Sequence, residues 1–208
     1  MKPKVLIVYN QLFHYRIPVF NLLAKEFELT VLYSKQVNRD ILSQCQFKTI
    51  YSPVKKIWRF YFHKESIRKH CKNYDVVISY GDISWLRFIL LGYTFRRKFK
   101  LIFWSIGVSA SYNRRFDDGS KLIDFVKDLF FKRADAQVFY TDYPVSKHIM
   151  RGYKSEALFV APNTVKVNSI ELSNETKQNL LFIGTLYLEK GIQILLDNYK
   201  KAYDIDRN

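Results

Sequence analysis

Acidic side chains are scarce in this sequence: 19 Asp and Glu stand against 34 Lys and Arg, a formal charge of +15 over 208 residues. Cysteine is scarcer still. Two thiols, Cys45 and Cys71, are too few for a disulfide scaffold and fit a reducing compartment. Only 7 glycines and 5 prolines argue against a linker-rich or collagen-like chain. No apolar run reaches the roughly 20 residues that span a bilayer. The most apolar stretch, Ile83 to Phe95, is broken by Arg87, and the opening run Val5 to Tyr9 is too short for a signal-peptide core. Aromatic residues, by contrast, are plentiful: 17 Phe, 15 Tyr and 3 Trp within a 48% hydrophobic composition can build a sizeable core. At about 150 residues per domain, the length suits one domain, or one and part of a second. These balances predict a soluble, cytoplasmic-type protein whose positive charge meets phosphates, an anionic membrane surface or nucleic acid.

Short β-branched runs alternate with longer stretches of helical period, the pattern of βα units around a parallel sheet. Lys4 to Tyr9 lacks polar alternation, as a strand buried on both faces should. The pattern predicts a helix over 17–27, strands over 29–33 and 47–51, and a helix ending near Lys72. A strand over 75–79, a buried helix over 83–95 and a strand over 100–105 follow. After a turn at Asp117-Asp118-Gly119 comes a helix whose apolar side is Leu122, Phe125, Val126, Leu129 and Phe130. Strands at 136–140 and 157–160 flank a helix around 144–151. The expected fold class is α/β, a Rossmann-like parallel sheet flanked by helices over residues 1–162. A polar linker over 163–178 leads to 179–208, read as an incomplete second Rossmann-like domain with a strand at 179–183 and a helix from about 189 to 203.

Ligands of open parallel sheets bind beyond the carboxyl ends of the strands, which singles out three loops. Asn10, Gln11, His14 and Arg16 follow the first strand, with no G-x-G-x-x-G dinucleotide fingerprint. The plain alternative is a helix start with a solvated arginine. Trp104, Ser105 and Gly107 follow the strand at 100–105, where Ser105, Ser109 and Ser111 could hydrogen-bond a sugar or phosphate. G-x-S-x-G is missing, so a hydrolase elbow is not indicated, and satisfied loop hydroxyls are the default. Gly184, Thr185, Lys190 and Gly191 lie between the predicted strand at 179–183 and its helix. There a close-approaching backbone, a helix N-terminus and a lysine suit a diphosphate, although the P-loop spacing fails. His63, His70, Cys71 and Cys45 show neither C-x-x-C nor H-E-x-x-H spacing, so no metal site is expected.

Residues 55–72 hold seven cations, Lys55, Lys56, Arg59, Lys64, Arg68, Lys69 and Lys72, against the single acid Glu65. Trp58, Phe60, Tyr61 and Phe62 are interleaved with them. Such a segment suits a membrane interface or nucleic-acid bases, with a solvated helix face as the bland reading. The membrane surface set is Lys55, Lys56, Trp58, Arg59, Phe62 and Lys64.

Three of these pieces, in order, resemble the GT-B glycosyltransferases of family 4. Tyr15-Arg16-Ile17-Pro18-Val19-Phe20 looks like the N-terminal acceptor-side signature, and Ala161-Pro162-Asn163-Thr164-Val165 like the crossing between domains. Leu181 to Leu186, then Glu189-Lys190-Gly191 and Ile194-Leu195-Leu196, resemble the nucleotide-sugar loop and first helix of the donor domain. The sequence departs from the family by carrying Thr185 where arginine is frequent and Ile106 where histidine precedes glycine; the E-x7-E element lies beyond residue 208. The resemblance implies retaining transfer of a sugar from a nucleotide-sugar donor to a saccharide or lipid-linked acceptor. It implies no cofactor and no metal, because helix dipole and cations neutralise the leaving diphosphate. It leaves the catalytic base unassigned and points to a truncated or split enzyme. The alternative is a non-catalytic acceptor- and membrane-binding half that needs a separately encoded donor domain. A nucleic-acid-binding module ranks last, since no recognised motif for it is present and nucleic acid is not an expected partner. The expected location is cytoplasmic, peripheral at the inner face of the cell membrane.

Overall fold

The computed structural model describes residues 1–108, 121–167, 180–184, 186 and 190–206. Seven strands form one sheet in the order β3-β2-β1-β6-β7-β8-β9. They are β1 (Lys4–Val8), β2 (Glu28–Tyr33), β3 (Lys48–Tyr51), β6 (Val76–Tyr80), β7 (Lys100–Ser105), β8 (Ala136–Phe139) and β9 (Leu158–Val160). Every neighbouring pair is parallel. The helices on this sheet are α1 (Ile17–Glu26), α2 (Arg39–Leu42), α3 (Ile67–Cys71), α4 (Leu86–Ile89), α5 (Lys121–Phe131) and α6 (Tyr143–Met150). This is the Rossmann-like α/β sheet expected.

The apolar character of β1 follows from burial on two sides. Leu6 and Val8 point into one core with Val77, Leu101, Phe103, Phe88 and Phe131. Val5 and Ile7 point into the other with Val31, Ile17 and Phe20. Because successive strand residues face opposite sides, a strand covered on both faces has no room for polar alternation. The strand starts on the β7–β8 side are tied by Asp135, whose carboxylate accepts from the Leu101 amide at 2.8 Å and from Arg97 at 2.6 Å. Arg151 grips Asp128 side-on, Nε to Oδ2 at 2.9 Å and NH2 to Oδ1 at 2.6 Å, joining α6 to α5.

The helix expected to end near Lys72 is α3 (Ile67–Cys71), but residues 55–64 are not a helix face: they form a hairpin of β4 (Val54–Ile57) and β5 (Phe60–His63). Aromatic and β-branched residues fit a pleated pair better than a helix, and Tyr61 stacks on Trp85 at 4.5 Å to hold the hairpin down. The segment 83–95 is not one helix. It splits into α4 and a 3-10 turn at Leu90–Tyr93, where a Cβ on Gly92 would stand 2.8 Å from the Arg133 side chain. On α5 the predicted apolar side is largely exposed, Phe125 at 61% and Leu122 at 71%, while Phe131 enters the core. Residues 180–183 carry no regular structure and join no ladder among the described residues.

The turn at Asp117-Asp118-Gly119 and most of the 163–178 linker lie outside the described residues, and 163–167 carry no regular structure. The described residues fall into two compact units, a larger one of 1–108 with 121–167 and a smaller one of 180–184, 186 and 190–206. In the smaller unit the described regular element is helix α7 (Ile192–Asp206). No described helix is long and apolar enough to cross a membrane.

Candidate functional site

The chain leaves β1 for β2 on one side of the sheet, while β6 flanks β1 on the other. That reversal marks the carboxyl ends of the strands as the place where open α/β sheets hold ligands. The loop after β1 runs into a 3-10 turn, His14–Arg16, and Pro18 then starts α1. Proline suits the first helical turn because its missing N–H would have no partner there. Arg16 is the residue before the helix, and its side chain is not solvated: it is 4% exposed.

Four rings surround the guanidinium. Its carbon lies 4.8 Å from the Trp104 ring centre, 5.4 Å from Tyr140, 5.8 Å from Tyr15 and 5.9 Å from Tyr9. Arg16 NH2 donates to the Tyr140 hydroxyl at 3.0 Å. Among the described residues, no carboxylate forms an ion pair with it. Each cation–π contact offsets about 0.5–2 kcal/mol, whereas burying a charge without a counter-ion costs several kcal/mol.

Hydrogen-bonding capacity is also left over. Arg16 Nε, Trp104 Nε1 and Asn10 Oδ1 are buried without a partner among the described residues. Tyr9 continues the network by packing edge-on against Tyr80 at 5.2 Å. Burial drives the Tyr9 phenol well above its ordinary range, and the adjoining Tyr140 pushes it further. Burial, then the charge of Asp82, moves the Tyr80 phenol up to about 12. Both phenols are therefore neutral donors at physiological pH. The cluster holds a fixed cation, donors and aromatic faces, the equipment for gripping a polar ring compound or an anion.

Of the acceptor-side residues predicted, Arg16 and Trp104 are brought into contact. Asn10 is half-buried; its carbonyl accepts from the Ser34 and Lys35 amides at 3.2 Å each, fixing the loop. Gln11 and Ser105 are half-buried at the same strand ends, and His14 is exposed. Gly107 has φ 77° and packs against Phe139 and Pro144, so its glycine has a steric reason. Sequence reading missed Tyr9 and Tyr140. The available signal was positional, since each occupies or directly follows the carboxyl end of an apolar strand.

In the smaller unit Gly184 is exposed, and Lys190 with Gly191, at φ 72°, precedes α7. Thr185 lies outside the described residues. On the hairpin, Lys55, Lys56, Arg59 and Lys64 are exposed and Phe62 is half-buried. Trp58 is 77% exposed. Tyr61 belongs to the inward side, whereas Phe60 and Phe62 alternate to the other.

Arg16→Met separates a binding group from a structural strut. Exchanging a buried, uncompensated charge for an apolar chain of similar volume is commonly neutral or stabilising. The melting temperature is expected to hold or rise; a fall of several degrees would make the guanidinium a structural element.

No family model matches the sequence, and no curated protein matches it significantly. Solved structures share the fold. HepE from Anabaena, solved with UDP and glucose, aligns at TM-score 0.50 and 13% identity over 77% of this chain and 44% of its own. The UDP-N-acetylglucosamine 2-epimerase of Rickettsia bellii aligns at TM-score 0.50 and 16% identity over 78% of this chain and 45% of its own. At these identities the likeness is one of architecture: a GT-B-like α/β fold. The chain spans less than half the length of either structure.

Proposed function

We propose that this chain forms the acceptor-binding side of a nucleotide-sugar-dependent, configuration-retaining sugar transferase of the family-4 kind, working at a membrane surface. The observation that carries the reading is the ring cluster around Arg16, at the start of the same Tyr15–Phe20 segment whose sequence resembles the family's acceptor-side signature. An epimerase uses this fold as well, and fold alone does not choose a reaction. The choice of transfer rests on the motif order along the chain. Gly184, Thr185, Lys190 and Gly191 are the proposed start of the donor side, with the remainder supplied by further residues or a separately encoded partner. Cations and the start of α7 would neutralise the leaving diphosphate without a metal.

Equilibrium binding separates this reading from its rivals. The chain is expected to bind neutral oligosaccharides in the millimolar range or better. No saccharide binding, together with tight single-stranded nucleic-acid binding that collapses with salt, would overturn it.

The hairpin supports the membrane part of the proposal. Trp58 stands at its tip beside Arg59, and the exposed cations Lys55 and Lys56 lie behind it. Trp58 also has φ 53°, a conformation that costs a bulky residue about 1 kcal/mol and glycine little. Trp58→Gly is therefore expected to keep or raise thermal stability while weakening sedimentation with anionic vesicles. Unchanged vesicle binding would reduce the hairpin to a solvated basic ribbon.

A further inference from the structure

We infer that the ligand group gripped at Arg16 is an oxyanion, a phosphate or carboxylate borne by the acceptor. This rests on the acceptor-site reading above and adds the substrate's charge to it. A neutral sugar can be held by amides, hydroxyls and rings; it does not require a guanidinium 4% exposed with no carboxylate partner among the described residues. Arg16 Nε and Trp104 Nε1 are both donors, both buried and both without an acceptor among the described residues. They belong to one stacked pair, 4.8 Å from guanidinium carbon to ring centre. An oxyanion is the acceptor that both donors lack, and guanidinium geometry suits it.

The local field has the same sign. Arg16 sits at the N-terminus of α1, whose first turn carries no acidic residue. The helix dipole therefore adds positive potential where the arginine already stands, favouring an anion there. The rings of Tyr9 and Tyr140 offer the cation their faces but no negative charge. The Tyr140 hydroxyl accepts from NH2 at 3.0 Å, and among the described residues it is the acceptor that a ligand oxyanion would compete with.

The test is proton–nitrogen correlation NMR on the whole chain, following the Trp104 indole N–H, with inorganic phosphate, glucuronate and glucose at constant ionic strength. A saturable shift of the indole signal with phosphate or glucuronate, and none with glucose, is expected. Phosphate alone would identify a phosphate-bearing acceptor, and glucuronate alone an acidic sugar. Arg16→Met is expected to weaken the response by about tenfold or more. Tyr140→Phe keeps the ring, releases NH2 and is expected to tighten anion binding; it guards against a folding defect in the arginine variant. An indole unmoved by either anion, or moved equally in Arg16→Met, overturns the inference. If a neutral oligosaccharide shifts the Asn10 and Gln11 amides while both anions leave the indole unmoved, the oxyanion fails and the acceptor site stands. If nothing moves either set of signals, both fail.

Discussion

Gly107→Ala is expected to cost the fold about 3 kcal/mol, read as a drop of roughly 10 °C in melting temperature. Two effects add. The residue sits at φ 77°, where an L side chain costs about 1 kcal/mol or more. A Cβ built there would also lie 2.6 Å from Phe139 Cδ1 and 2.6 Å from Pro144 Cβ. Phe139 is fully buried and Pro144 is rigid, so neither can swing aside. Gly152 provides the internal comparison. It has φ 79°, but its nearest neighbour would be the flexible Lys132 Nζ at 3.7 Å, leaving only the conformational cost. Equal losses at the two glycines would show that the contact with Phe139 and Pro144 does not matter. Because Gly107 lies two residues after Ser105 at the end of β7, the same variant is expected to shift Ser105 and weaken ligand binding.

Acidification should destabilise the larger unit before its carboxylates are protonated. His63 is 3% exposed, packed against Phe88 with ring centres 4.8 Å apart and hydrogen-bonded through Nε2 to Ser34 Oγ at 3.1 Å. Burial, helped by the nearby Arg87 charge, lowers its pKa from 6.5 to about 4. The unfolded chain therefore binds this proton more readily than the folded one. Stability is full above pH 6.5 and falls as the pH approaches 4, by roughly 3 kcal/mol for a shift of this size. Burial also depresses His148 and adds loss in the same direction. Denaturant midpoints measured between pH 7 and pH 4 check this, with His63→Gln expected to flatten the profile. A wild-type midpoint that stays constant down to pH 4.5 would contradict it.

The parallel sheet was legible because double burial writes itself into β1, β2 and β7 as unbroken apolar runs. The hairpin was not, because Lys55, Lys56 and Arg59 mask the alternation that places Tyr61 and His63 inward and Phe60 and Phe62 outward. The 83–95 segment changes to a 3-10 turn at Leu90, and the glycine at 92 lets Arg133 approach closely, a contact between residues far apart in sequence. The site was half legible. Arg16 and Trp104 were named from their place after strands, but a lone arginine in a loop reads as solvated. Its burial follows only from the order β1-β6-β7-β8, which gathers Tyr9, Trp104 and Tyr140 at one end of the sheet.

The central claim is that the ring cluster at these strand ends receives the acceptor. An amide NMR map of the chain titrated with a neutral oligosaccharide tests it most directly. The account predicts saturable shifts at Asn10, Gln11, Ser105 and Tyr140, residues that follow three different strands. Shifts confined to the 54–63 hairpin, or no saturable shifts at any of the four, would contradict it.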